Sequence, residues 1–509
     1  MKPPRLFRSA GIVSLGTLSS RILGLFREIF MAMIFGTELA GSAFFVAFTI
    51  PNLFRRLFGE GALSAAFIPA YVQTRDQEGQ EAGWKLFRNT ASLLTLFLGA
   101  ITLLILILTS IALRFSLPEE VIAVLLPMRI MLPYTLWICL AALVMGVLNS
   151  HRKFAVPAFA PCILNLVWIG ALLGVGLRAD LSLPEKALWI SWAVLIAGAL
   201  QFAAQLPALF ALGYRPPAKI TPLGPGVRRV LIRMGPAALG AAVTQINVLL
   251  DRVLALWAGE YGPSALAFSE RLIYLPLGLF ATALGTILLP EMSGLAHRKD
   301  TDGLAKTMDQ SLRGLLYIMI PAALGLAVLA SPLVEMVYAR GRFDEQSVLY
   351  TARALRFYAP GLLVFSLVKV LVPVFYAHGN TRTPVKIALW AVGGNILLNI
   401  FFILVLPDGW KHAGLALGTV LSETFQVIAL ACILQKSVVK TPWHSVAVAA
   451  AKHALACVPM ILTPLLILRT FPESPLFVTL PAAILLAVAV YFTATLALRC
   501  RELREFRHH

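Results

Sequence analysis

Charged side chains are what this sequence has least of. Asp, Glu, Lys and Arg make up 13% of its 509 residues, about half the roughly 25% usual in a soluble domain. With 59% hydrophobic residues and a mean hydropathy of +0.82, that scarcity excludes an ordinary soluble domain and indicates a polytopic membrane protein. Cysteine is scarce too: Cys139, Cys162, Cys432, Cys457 and Cys500 show no CxxC spacing, so neither a disulfide framework nor metal ligation finds support. No GxSxG, P-loop or HExxH motif occurs, and no soluble stretch reaches about 30 residues, which leaves no room for a nucleotide-binding domain. These absences argue against an enzyme or an ATP-driven pump, so the energy source is an ion gradient or the membrane potential. The net charge of +18 is spread over short loops without an aromatic stacking module, which argues against nucleic acid.

What the sequence has is apolar length. Fourteen windows long enough to cross a bilayer run from about 10–36 and 41–73 to 443–468 and 476–499. Alternate loops then carry about 25 Lys and Arg on one side and about 7 on the other, which places both termini in the cytoplasm. The basic start at Lys2, Arg5 and Arg8 leads into a full-length span with no clear cleavage site, so the first helix is expected to stay in the membrane.

A weak internal repeat orders these helices. LGTLSSRILGLFREIFMA at 15–32 aligns with LGAAVTQINVLLDRVLAL at 239–256, and the segments near Pro157 and Pro384 match at offset 227. Six helices therefore repeat as six. Because six is even, the expected fold is all-α with two six-helix lobes, 1–215 and 216–440, related by a pseudo-two-fold axis along the membrane normal. Two extra helices and a cytoplasmic tail occupy 441–509. A substrate site is expected between the lobes.

The first hairpin places Arg21, Arg27 and Arg55 at depths where each costs about 2.5–3.5 kcal/mol unless it faces protein or water. Arg271 in the eighth helix is expected to complete a four-arginine wall. Either these cations pair with Glu28, Glu60 or Glu270 as internal glue, or they form an anion site suited to phosphate. A second constellation differs in kind. Asp251 lies in mid-helix, Asn395 and Asn399 share a face at i, i+4, and Thr419 lies on the next helix. One carboxylate with neutral oxygens suits Na⁺ or a proton, whereas pairing of Asp251 with Arg252 is the alternative. Lys369, Glu423 and Lys452 are further intramembrane charges to which the sequence assigns no role.

SRILGLFRE, AFFVAFTIPNLFRRLFGEGALSAAFIP, MGPAALG, ALGTILLP and HRKFAVPAFAP together resemble the MurJ/MviN family of lipid II flippases, within the multidrug/oligosaccharidyl-lipid/polysaccharide exporter superfamily. The resemblance covers essentially the whole chain. It implies a two-lobed bundle of fourteen helices in the bacterial cytoplasmic (inner) membrane. That bundle carries the undecaprenyl-diphosphate-linked peptidoglycan precursor, lipid II, outward by alternating access in service of cell-wall biogenesis. Its partners are lipid II, membrane lipids and the cell-wall synthesis machinery. By motif, Arg21, Arg27, Asn52, Arg55 and Arg271 match the family's cavity positions and Glu60 its EGA acid, with Glu270 as a charge partner. A groove beside the last two helices takes the polyprenyl tail. Asp251, Asn395, Asn399 and Thr419 resemble a sodium site found in part of the family; no other cofactor is implied. Ser42, Thr49 and Tyr274 depart from the family pattern, where an acid, a lysine and an acid are frequent. A polysaccharide-lipid flippase or drug antiporter of the same superfamily is the alternative, although four arginines disfavour cationic drugs.

Overall fold

The structure is a computed structural model that describes residues 3–216, 224–437, 439 and 441–502. Every regular element among the described residues is helical, as a bilayer demands of a chain whose backbone groups must be satisfied within the segment.

The first half comprises α1 (Pro3–Phe35), α2 (Leu39–Phe54), α3 (Ala62–Glu78), α4 (Gln80–Ala112), α5 (Glu119–Met131), α6 (Tyr134–Ser150), α7 (Ala155–Gly176), α8 (Leu183–Ala203) and the short α9 (Leu206–Phe210). The remainder comprises α10 (Pro225–Ala258), α11 (Gly262–Pro276), α12 (Thr282–His297), α13 (Thr301–Val328), α14 (Ala330–Tyr338), α15 (Glu345–Tyr358), α16 (Gly361–Ala377), α17 (Arg382–Val405), α18 (Lys411–Ser437), α19 (Trp443–Thr470) and α20 (Leu476–Ala497). Short polar loops start several of them. Ser182 and Glu185 form a capping box on α8, while Asp300 and Asp344 cap α13 and α15 by accepting from Gly303 and Ser347 backbone N–H groups, both at 2.8 Å. Two compact units result, Met1–Leu256 and Trp257–His509.

All fourteen expected windows fall on helix. Among the described residues nine helices are long and apolar enough to cross a membrane, or eleven if each bent pair counts as one span. The three windows without such a span lie on α1, α2–α3 and α10, which carry Arg21, Arg27 and Glu28, then Arg55 and Arg56, then Asp251 and Arg252. The count of fourteen crossings thus turns on the charged helices.

Each unit shows the repeat in its local geometry. Proline lacks the N–H that a helix interior needs, and the chain bends by 43° between α5 and α6 and by 42° between α15 and α16. Pro133 and Pro360 stand at those bends, at the repeat offset of 227. π-helical turns, Arg55–Gly61 and Leu277–Ala281, interrupt the second helix of each half. The turns after α6 and α16 match bond for bond. Lys153 N donates to Leu148 O at 2.9 Å and Arg152 N to Asn149 O at 3.0 Å; Asn380 N donates to Phe375 O and Gly379 N to Tyr376 O, both at 2.9 Å. This is the Schellman closure, and it needs a left-handed residue. Gly379 supplies it at φ 70°, whereas Arg152 occupies the equivalent place at φ 60°.

Close helix contact replaces the hydrophobic effect inside hydrocarbon, where lipid tails are as apolar as leucine. A Cβ at Gly16 would stand 2.6 Å from the Ala158 carbonyl oxygen, so α1 packs on α7 only because position 16 has no side chain. Large apolar groups on the outer faces, such as Leu404 and Leu485 at 79% and 72% exposure, are lipid-facing rather than misplaced.

Candidate functional site

α1 brings Arg27 and Glu28 against α7. Arg27 Nη2 donates to Glu28 Oε1 at 2.6 Å and Nη1 to Asn165 Oδ1 at 3.1 Å. The guanidinium carbon lies 4.4 Å over the Trp168 ring, a cation–π contact. Asn165 is itself oriented, since its Nδ2 donates to the Ser20 carbonyl at 3.0 Å. Phe44 and Phe48 pack edge-on against Trp168 at 5.3 and 5.1 Å. Arg27 therefore sits in a built socket: an acid neutralises it, an amide aims it, and an aromatic wall excludes water from one face. Asn165 and Trp168 escape the sequence reading because a lone amide in an apolar helix carries no motif.

The break in the second helix positions the next pair. Pro51 interrupts the donor ladder of α2, and Arg55 opens the π-helical turn that follows. π turns concentrate at functional positions because they re-aim side chains. Arg55 Nε donates to Asn52 Oδ1 at 2.9 Å. Glu60 belongs to the same turn, but its side chain lies outside the described residues. Arg21 is on an exposed face of α1, and Arg56 is exposed as well. Arg27 and Arg55 are thus fixed by different partners.

In the second unit Arg271 is partly buried on α11, and its neighbour Glu270 accepts from the Tyr358 hydroxyl of α15 at 3.1 Å. α17 and α18 bring Asn395, Asn399 and Thr419 together: Asn399 Nδ2 donates to Asn395 Oδ1 at 3.1 Å, and Asn395 Nδ2 points to Thr419 Oγ1 at 3.4 Å. Both amides are buried. A Cβ at Gly418 would come 2.5 Å from Asn399 Oδ1, so glycine is required beside the ladder. Within α10, Asn247 Nδ2 reaches Asp251 Oδ2 at 3.3 Å. The oxygens that Asn395, Asn399 and Thr419 present within the second unit are neutral amide and hydroxyl oxygens, a donor type that suits a hard cation rather than zinc or copper.

A cavity of about 730 Å³ opens in the second unit among α11, α13, α19 and α20. Its lining, including Pro276, Phe280, Tyr317, Pro321, Pro464 and Phe492, is almost wholly apolar.

The family model described as lipid II flippase MurJ matches residues 31–486. The chain belongs to that family. The lipid II flippase MurJ of Burkholderia cenocepacia is 36% identical over 422 residues, 81% of this chain and 80% of its own length. A probable lipid II flippase MurJ of Bdellovibrio bacteriovorus is 33% identical over 530 aligned positions, covering 99% of this chain and 97% of the relative. A solved structure of lipid II flippase MurJ in an inward closed conformation superposes with a TM-score of 0.80 at 25% identity, covering 96% and 98% of the two chains. An inward-facing multidrug transporter of the MATE family superposes at 0.67 with 14% identity, which shows a shared fold alone. Family membership makes the protein a multi-pass membrane transporter, not an enzyme.

Proposed function

We propose that this protein carries lipid II from the cytoplasmic to the periplasmic leaflet of the bacterial cytoplasmic membrane, with both of its termini in the cytoplasm. The observation that carries this reading is the likeness to lipid II flippases along nearly the whole chain. The substrate has an anionic head and a long apolar tail, and the chain has a feature suited to each. Arg21, Arg27, Asn52 and Arg55, and separately Arg271, engage the diphosphate, for which the guanidinium fork is the matched donor. Glu28 and Glu270 offset the cationic charge when no substrate is bound, and Glu60 belongs to the same set. The apolar cavity between α13 and α20 accepts the prenyl chain.

Transport proceeds by alternating access. A Na⁺ held by Asp251, Asn395, Asn399 and Thr419 resets the protein, and a potential of about 100 mV supplies roughly 2.3 kcal/mol for each charge moved. The cell-wall synthesis machinery consumes the product on the outer face. Depletion of the protein in cells tests the substrate: lipid II is expected to accumulate on the inner leaflet. Accumulation of a different polyprenyl-linked saccharide, with lipid II export normal, assigns the protein instead to the polysaccharide-lipid exporters.

A further inference from the structure

The second unit holds another buried polar cluster, which borders the apolar cavity through Tyr317. α19 contributes His453, fully buried, and the segment after α20 returns Cys500 and Glu502 beside it at 4% and 3% exposure. One donor atom from each of the three lies within 4.8 Å of the other two. His453 Nε2 stands 3.8 Å from Glu502 Oε2, too far for a hydrogen bond, and among the described residues neither ring nitrogen has a hydrogen-bond partner. Buried imidazoles are normally satisfied. The spacing fits two ligands of one ion better: with bonds of about 2.0–2.3 Å, donors around a tetrahedral divalent ion stand roughly 3.3–3.7 Å apart.

The surroundings resemble the outer shell of a metal site. Arg313 Nη1 donates to Glu502 Oε1 at 2.8 Å while its Nε donates to Asp309 Oδ2 at 2.8 Å, which fixes the carboxylate from behind. Tyr317 packs edge-on against the imidazole at 5.2 Å and holds the ring plane. Of the cations that line the neighbouring cleft, Arg313, Lys452 and Arg501, Arg313 is engaged by the two carboxylates and Lys452 is turned to the Leu498 carbonyl at 3.3 Å. A cleft of about 280 Å³, lined in part by His444, Ser445, Cys500 and Glu502, offers an entry path and room for a water as fourth ligand.

We propose that His453, Cys500 and Glu502 bind one divalent ion of the zinc class and so fasten the C-terminal segment to α13 and α19. A thiolate, an imidazole and a carboxylate together select such an ion over Na⁺, Mg²⁺ or Ca²⁺. Binding displaces the Cys500 thiol proton to solvent as the metal–sulfur bond forms. The site is independent of the substrate reading.

Co²⁺ is the spectroscopic probe. Full-length protein purified in detergent, stripped with chelator and titrated with Co²⁺, is expected to take up one ion per chain with a thiolate-to-cobalt charge-transfer band that Zn²⁺ abolishes. Cys500→Ser should remove that band, and His453→Gln should weaken binding by at least about tenfold. Cys457→Ser, one helical turn along α19, should leave both intact. A wild-type protein that gives no charge-transfer band overturns the assignment without reference to any variant. So does a band that survives in Cys500→Ser.

Discussion

The Arg27 guanidinium stacks on the Trp168 ring at 4.4 Å, and the acid that neutralises it, Glu28, is its own sequence neighbour. That arrangement gives an arginine at membrane depth a partner to exchange. On the proposed function, the diphosphate takes the place of the Glu28 carboxylate on a guanidinium that Asn165 and Trp168 also hold.

Replacing Arg27 with Ala should therefore abolish complementation of a depleted strain while membrane levels stay near normal. Lysine should rescue only in part, since it keeps the charge but loses the fork and the flat stacking face. Glu28→Gln removes the competitor for the guanidinium and should tighten diphosphate binding by about tenfold, taking roughly 1.5 kcal/mol for one charge-assisted bond. Normal growth and normal lipid II export with Arg27→Ala would sink the idea.

Arg152 and Gly379 make an internal control on the repeat. Each closes a helix in the left-handed region, at φ 60° and 70°, where a side chain costs about 1–2 kcal/mol and glycine almost nothing. After the extra entropy glycine loses on folding, Arg152→Gly should gain about 0.5–1 kcal/mol, and Gly379→Ala should lose about 1 kcal/mol. Thermal unfolding in one detergent measures both. Shifts of the same sign in the two variants would show that the turns are not equivalent.

His151, in the turn after α6, should make stability depend on pH. Its Nε2 lies 3.0 Å from the Tyr71 hydroxyl and its ring stacks on Trp84. Burial, and then the nearby Arg75 charge, disfavour the imidazolium and hold its pKa below the ordinary 6.5. The unfolded chain therefore takes up this proton first as pH falls. The contribution is fully present above about 6.5 and is lost progressively below it, toward the lower folded-state value. His151→Gln should flatten that part of the unfolding temperature profile. An unchanged acid slope would remove the histidine from the account.

Much of the helical layout is legible in the sequence, because spanning length and loop charge need no tertiary information. The bends within 121–149 and 348–378 are not read there as breaks, although Pro133 and Pro360 mark them in retrospect by their missing donors. The socket around Arg27 is less legible. Its acid is adjacent, but Asn165 is 138 positions away and becomes a partner only when Gly16 lets α1 close on α7. Nor does any spacing motif announce His453, Cys500 and Glu502, since the return of the chain after α20 is what brings them together.

The ladder of Asn395, Asn399 and Thr419 bears on the remaining proposal, the sodium ion. Neutral oxygens joined by hydrogen bonds can turn toward a cation if a carboxylate supplies charge, and Asp251 is the carboxylate the reading assigns. Arg252 is the competing explanation, because an adjacent guanidinium could serve as counter-charge with no ion at all. The two variants separate these accounts: Asp251→Asn should erase the stabilisation that sodium gives over potassium, whereas Arg252→Ala should leave it in place. Gly418→Ala offers a third measurement, since the new methyl meets Asn399 Oδ1 at 2.5 Å and must push the amide out of register. Sodium-specific stabilisation should fall in that variant although no proposed ligand is altered. If wild type, Asp251→Asn and Gly418→Ala are stabilised equally by sodium, the ion is not held here, and Asp251 serves α10 through Asn247 and its neighbours alone.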